Sequence, residues 1–447
     1  MGGTLLTLCA LSLLYVALPA GGRQGPPRAQ GLAGQNRVAA HPRASIDRRR
    51  VLVRHHRARV NRRRAVTGRR GTPAAPGPSR EVKSPSVTPA GKPPQESAKG
   101  APRRVAAVAP AEELPDAPIP PAEVPAGAVL WGASIGDHLT GTQAPWDMDA
   151  VAKFEDAAGK QLSLLNFFAP FANCSSSPCS FYEFPAGPME SIREHGAIPV
   201  FSWSSQSIPS TASEPEFQLA DVIAGSYDSY IREFAADARD WGHPFFMRFN
   251  WEMNGRWFPW SEGVNGNQPG EFVAAWRHVH DIFSSVGATN ATWVWCPNVD
   301  PDDIFQDLSS LYPGDEYVDW TGLDGYNWGT NPAKPDRWRS FDQLYSSTYR
   351  QIAGTIAPTK PLLIGEIGST EYGGSKAAWI ADGLARIPVS YPKVGAVLWF
   401  DTYDDGMDWP IGTSASATSA FAAGIQSPAY ATNAYAELSG GPIQAPR

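Results

Sequence analysis

Three observations in the sequence predict an α/β chain closed into a (β/α)₈ TIM barrel. Eight short apolar runs follow one another between residues 127 and 440, amphipathic helix-like patterns alternate with them, and no Gly-rich phosphate loop follows the first. An open doubly wound sheet would show fewer strands and a GxGxxG turn. The segment here reads GASIGD.

The chain begins with an apolar stretch, Leu5 to Ala20, that ends in small residues. It reads as a signal peptide or membrane anchor over residues 1–20, and an extracellular, secreted or cell-surface location follows as an expectation. Residues 21–126 are rich in Arg, Ala and Pro and lack a sustained apolar period, so this segment is expected to be a disordered basic linker. Its final stretch, APIPPAEVP, is expected to be extended and stiff.

Charge divides at the same place. Residues 1–104 carry 21 Lys+Arg against 3 Asp+Glu, whereas residues 105–447 carry 17 against 41. An acidic body argues against specific nucleic acid as ligand, because phosphate recognition needs a positive stripe, and suits a neutral polymer. The basic tail, with RRRVLVRHHRARVNRRR at its centre, suits weak contact with anionic cell-envelope material.

The eight runs, in order, are VLWGASI (129–135), LSLLNFFA (162–169), IPVFSWS (198–204), FFMRFNWE (245–252), ATWVWCPN (291–298), DWTGLDGYN (319–327), PLLIGEIG (361–368) and VGAVLWFD (394–401). Between them lie patterns such as YDSYIREFAADARDWG and EFVAAWRHVHDIFSSVG, with apolar residues three or four apart and a closing Gly. Several runs end in polar residues: Glu252, Asn298, Asn327, Glu366 and Asp401. In a barrel those are C-terminal strand ends, where active sites are built.

Of the four cysteines, Cys296 reads as a buried thiol, and Cys174 with Cys179 in CSSSPC are close enough for a small-loop disulfide. There is no CxxC pair, no HExxH and no His cluster, and His278 and His280 fall on different faces of a helix. No metal and no cofactor is expected.

Glu252 and Glu366 come from the fourth and seventh runs and are expected to approach across the barrel mouth. Retaining cleavage of a glycosidic bond needs two carboxyl groups about 5 to 5.5 Å apart, one attacking the anomeric carbon and one protonating the leaving oxygen. Two acids so close cannot both ionise freely, so one holds a proton near neutral pH. Among sixteen Trp, those at 241, 276, 320 and 379 fall in helix or strand patterns and read as core, whereas Trp257, Trp260, Trp328 and Trp399 follow strand ends and read as sugar platforms, with Trp203 between the two groups.

The segment RFNWEMNGRWFPW (Arg248 to Trp260) and the Glu-Ile-Gly of the seventh run resemble the signatures of glycoside hydrolase family 26, the β-mannanase family of the retaining (β/α)₈ clan. That resemblance implies Glu252 as acid/base and Glu366 as nucleophile. It further implies Arg248 beside the nucleophile, Asp324 and Tyr326 as the sixth-strand pair with the Tyr hydroxyl on Glu366, Trp257 beside the acid/base, and Trp399 as the floor of the sugar site. Where the family commonly has His before the acid/base, this chain has Trp251. The expected function is a monomeric, retaining endo-β-glycosidase on a β-linked polysaccharide, with β-1,4-mannan first and β-glucan second. A catalytically silent carbohydrate-binding barrel is the rival from another class.

Overall fold

In the computed structural model, which describes residues 120–124, 127–404 and 406–446, all eight runs are strands of one sheet. They are β1 (Leu130–Ile135), β2 (Leu164–Asn173), β3 (Ile198–Ile208), β4 (Phe245–Phe249), β5 (Ala291–Trp295), β6 (Trp320–Asn327), β7 (Leu362–Ser369) and β8 (Val394–Asp401). Every pairing between neighbours is parallel. β1 pairs with both β8 (Leu130 opposite Ala396) and β2 (Gly132 opposite Leu164), so the sheet closes into a barrel without an edge.

Near-continuous apolar runs are what a parallel sheet covered on both faces requires, and β1, β3 to β7 are buried throughout. Among the described residues, and besides the five-residue helix Leu219–Ile223, seven longer helices follow the strands: α1 (Met148–Ala158), α2 (Ala186–Glu194), α3 (Asp228–Trp241), α4 (Glu271–Val286), α5 (Phe341–Gln351), α6 (Lys376–Ser390) and α7 (Ala415–Ile425). Their ends are chemically marked. Asp147, Ser340, Ser375 and Ser414 cap N-termini through their side chains, and Gly159, Gly242 and Gly287 end α1, α3 and α4 in the left-handed conformation.

One unit departs from the expected alternation. Among the described residues, β5 and β6 are joined by a loop whose only helix is a 3₁₀ turn, Leu308–Leu311, because the intervening Pro297, Pro301, Pro313 and clustered Asp residues break any 3.6-residue period.

The linker boundary also moves. Ala122 is fully buried and bridges Ile443, the Ala122 amide donates to the Pro442 carbonyl, and the Trp320 indole donates to the Ile443 carbonyl at 2.8 Å. Residues 120–124, within the segment expected as linker, and residues 441–443, just past residue 440, therefore pack with the barrel. Apolar Ala122, Val124 and Ile443 supply the reason, since each buries its side chain. The expected signal or anchor (1–20) and the rest of the basic linker, up to residue 119, lie outside the described residues. Among the described residues no helix is long and apolar enough to cross a membrane.

Gly440 shows how close this packing is. It sits at φ 91°, and a Cβ there would lie 2.2 Å from the Pro120 carbonyl oxygen. Gly440→Ala should destabilise the barrel by roughly 1–3 kcal/mol, measured as a shift of the denaturant midpoint at unchanged slope; an unshifted midpoint would return residues 120–124 to the linker.

Candidate active site

The fourth strand stops at Phe249, and the chain then turns on two left-handed residues, Asn250 (φ 45°) and Glu252 (φ 54°). Asn adopts this conformation readily, but Glu does so only when its surroundings hold it there. Asn250 is anchored by exchanging hydrogen bonds with Ser205 on β3 (2.9 and 2.8 Å). The Glu252 amide donates to the Cys296 carbonyl at 2.7 Å. The turn swings the Glu252 carboxyl into the C-terminal mouth of the barrel.

There it meets Glu366 from β7. One oxygen from each of Glu252, Asp324 and Glu366 lies within 4.8 Å of the others. Both glutamates are 3% exposed, so these acids face one another in a site that is largely dry. Three close carboxylates are also the donor set of a hard cation, yet here a guanidinium takes that place. Arg248, fully buried, donates through Nη2 to Asp324 and to Glu366 (2.8 Å), and through Nη1 to Ser202 (3.0 Å). Trp251 lies against the same guanidinium, 5.0 Å from ring centre to the Arg248 Cζ.

One cation among three acids leaves an excess of negative charge if all three ionise, so a proton is retained. The acid without a cationic partner is Glu252. Burial, and then the neighbouring Glu366, push its pKa up to about 7, against the opposing pull of Arg248 and of donors from Asn298 Nδ2 (2.6 Å) and Trp257 Nε1 (2.7 Å). Burial raises Asp324 as well, with Arg248 opposing. Burial likewise keeps the Tyr326 hydroxyl and the Cys296 thiol protonated, so Tyr326 donates to Glu366 and Cys296 to Asp324 (3.1 Å).

Two glycines make these contacts possible. A Cβ at Gly365 would lie 2.7 Å from Asp324 Oδ1 and 3.1 Å from Arg248 Nε, so β7 must be bare where it crosses the ion pair. At Gly255 it would lie 2.3 Å from the Trp257 ring, so only Gly lets that indole fold back onto Glu252.

The structure thus brings together Arg248, Glu252, Trp257, Asp324, Tyr326 and Glu366 at one mouth. It does not bring Trp203, Trp260 or Trp399 there. Trp203 stacks on Phe234 of α3 at 4.3 Å and is wholly buried between sheet and helix. Trp399 packs on Trp379 of α6 and Phe421 of α7, and Trp260 is buried on Phe258 with its indole donating to the Trp251 carbonyl. The cause for the two strand residues is parity: successive side chains alternate across a strand, so Ser202 and Phe400 face inward where Trp203 and Trp399 face out.

Phe400 and Trp409 take the aromatic place at the mouth, 5.6 and 4.8 Å from the Tyr326 ring, with the partly buried Trp328 5.0 Å from Trp409. Trp409 lies in the acidic segment DTYDDGMDW, whose composition reads as a solvated loop, with the border of a sugar subsite as the alternative reading. Asn254 was silent, though it exchanges hydrogen bonds with the Asn298 backbone (2.9 Å each way) and so presents Asn298 to Glu252. The Cys174–Cys179 disulfide is formed.

Comparison with known proteins matches residues 179–366 to the model of glycosyl hydrolase family 26, a span that contains Glu252 and closes on Glu366. Endoglucanase H of Acetivibrio thermocellus is 35% identical over 297 residues, which is 65% of this chain and 30% of that protein. A mannan endo-1,4-beta-mannosidase of Bacillus subtilis is 26% identical over 256 residues, covering 55% of this chain and 63% of that one. The chain therefore spans less than two thirds of the length of either relative. A modular endo-beta-1,4-mannanase from Cellulomonas fimi shares the fold, with a TM-score of 0.50 and 17% identity over 71% of this chain and 76% of that chain. The matched span and these relatives together support membership of glycosyl hydrolase family 26.

A buried acid with a raised pKa leaves a signature on stability. The protonated form is favoured in the folded state, so the stabilisation is full below the ordinary value of 4.5 and is lost as pH rises through about 7. Between pH 5 and pH 8 the wild type should lose more unfolding free energy than Glu252→Gln, by on the order of 1–3 kcal/mol; equal losses would place the shared proton elsewhere.

Proposed function

We propose that this family 26 protein is a retaining endo-β-glycanase that cleaves by double displacement. The observation that carries the reading is the facing pair: Glu252 and Glu366 oxygens within 4.8 Å, the first poised near pH 7 and the second oriented by Arg248 and Tyr326. That spacing fits direct attack on the anomeric carbon and leaves no room for an inverting water, which needs carboxyls about 6.5 to 9.5 Å apart.

In the first step a Glu366 oxygen attacks the anomeric carbon, the glycosidic bond breaks, and Glu252 gives its proton to the departing oxygen. In the second, Glu252 takes a proton from water, whose oxygen attacks the same carbon and releases Glu366. Neither step calls for a metal or organic cofactor. Tyr326 and Arg248 fix the attacking carboxylate, while Trp257 and Asn298 hold the two oxygens of the acid.

For the polymer we favour a β-glucan over β-1,4-mannan, reversing the order expected from the sequence. The likeness to Endoglucanase H is higher in identity and longer than that to the Bacillus subtilis mannosidase. Trp251, in place of the family's usual His, lies against Arg248, so the hydrogen-bonding ring that the family commonly has there is replaced by an indole. Mannan is the second reading, supported by the several mannosidase relatives. Export accords with the apolar Leu5–Ala20 stretch and with the Cys174–Cys179 disulfide, which an oxidising compartment sustains. The basic tail then serves as a tether to anionic envelope material, and the enzyme acts as a monomer.

Turnover of β-glucan should fall as pH rises through about 7, because the acid must be protonated. Trp257→Phe removes a donor that stabilises the ionised form, so this alkaline limb should move upward. Glu252→Ala should lower kcat/KM on the polymer by roughly 10²–10⁴-fold, yet spare much of kcat/KM on a dinitrophenyl glycoside, whose leaving group needs no proton. A limb that moves downward, or equal losses on both substrates, would remove Glu252 from the acid role. Activity of the wild type on mixed-linkage β-glucan, β-mannan and β-xylan ranks the substrates, and inertness on all three would leave the carbohydrate-binding barrel.

A further inference from the structure

Lys376 is the first residue of α6 and has no accessible surface. Both facts work against a lysine there. Burial lowers its pKa to about 8, and the N-terminal end of a helix carries positive partial charge, which disfavours a cation. Among the described residues its ammonium makes no hydrogen bond to a carboxylate. It donates instead to three successive backbone carbonyls, those of Asp408, Trp409 (3.1 Å) and Pro410 (2.9 Å), and to Thr413 Oγ1 (3.0 Å).

Those carbonyls belong to the β8 loop, and the same segment is held from its other side. The Asp408 carboxylate accepts from Thr370 Oγ1, from Asn331 Nδ2 (3.1 Å) and from the Glu371 amide (2.8 Å), which ties the loops after β6, β7 and β8 together. Between these two anchors stands Trp409. Its carbonyl also accepts from Trp399 Nε1 at 3.0 Å, and its indole, 1% exposed, lies 4.8 Å from the Tyr326 ring. The Tyr326 hydroxyl donates to Glu366.

We propose that Lys376 is a positioning residue of the reaction: by gathering the 408–410 carbonyls it fixes the Trp409 indole against Tyr326 and thereby keeps the Tyr326 hydroxyl on the nucleophile. The inference rests on the retaining reading given above. It extends that reading to a residue that touches neither sugar nor acid, and it explains why a loop of acidic, solvated composition ends in a fully buried Trp. Without the ammonium, three carbonyls aimed at one buried point lose their common donor, which removes one of the two anchors that hold Trp409 in place.

The test is a double-mutant cycle. Lys376→Met and Trp409→Phe are each made alone and in a Tyr326→Phe background, and kcat and KM on a soluble β-glucan are measured. Each single variant should lose between about 10- and 100-fold in kcat, with KM changing little, while costing less than about twofold once Tyr326 is already Phe. Losses that multiply in the Tyr326→Phe background, or a wild-type kcat in the single variants, overturn the inference while leaving the retaining reading intact. If Lys376→Met does not fold, the Trp409→Phe cycle decides on the same criteria. A wild type inert on every polymer overturns the retaining reading and this inference with it.

Discussion

The mouth of this barrel depends on one buried guanidinium. Arg248 sits where no solvent reaches and donates to Asp324, Glu366 and Ser202, joining strands β3, β4, β6 and β7. An unpaired charge at that depth would be prohibitive, and so would the three acids without it. The arrangement around it follows from that demand. Gly365 clears space for the pair, Cys296 donates to the remaining Asp324 oxygen, Trp251 covers the guanidinium, and the proton that electroneutrality requires falls to Glu252, the acid that Arg248 does not touch.

Around this centre the loops divide into two walls with separate fastenings. On the Glu252 side, Asn254 locks the β4 loop to Asn298 after β5, and Glu262 accepts from Gln306 and from the Gly270 amide. Asn265 and Glu214 join the β3 and β4 loops in the same way. On the Glu366 side, Asp408 and Lys376 gather the β6, β7 and β8 loops. Side-chain amides and one lysine thus do for irregular backbone what the strand ladder does for the barrel, which allows sites built from loops to keep fixed geometry.

Much of this was legible in the sequence, for identifiable reasons. Strands buried on both faces read as apolar runs, and all eight were found where those runs lie. Gly242 and Gly287 closed helices that the 3.6-residue period had opened. The polar residues ending those runs pointed to Glu252, Asn298 and Glu366 together. What failed to read was the facing of side chains and the course of loops. Trp203 and Trp399 stand one residue from inward positions, and a run that is apolar on both faces carries no sign of its phase. Ala122 and Ile443 lie in Pro-rich stretches whose composition hides a docking segment. Trp409 and Lys376 are separated by 33 residues, and their meeting is a property of the closed barrel alone.

The most direct test is the configuration of the product at the moment it forms. Proton NMR of the wild type acting on a soluble β-glucan oligosaccharide should show the β-anomer of the new reducing end first, with the α-anomer appearing later by mutarotation, as two displacements at one carbon require. Initial appearance of the α-anomer would mean a single displacement by water, and Glu366 could not then be the nucleophile that this account makes it.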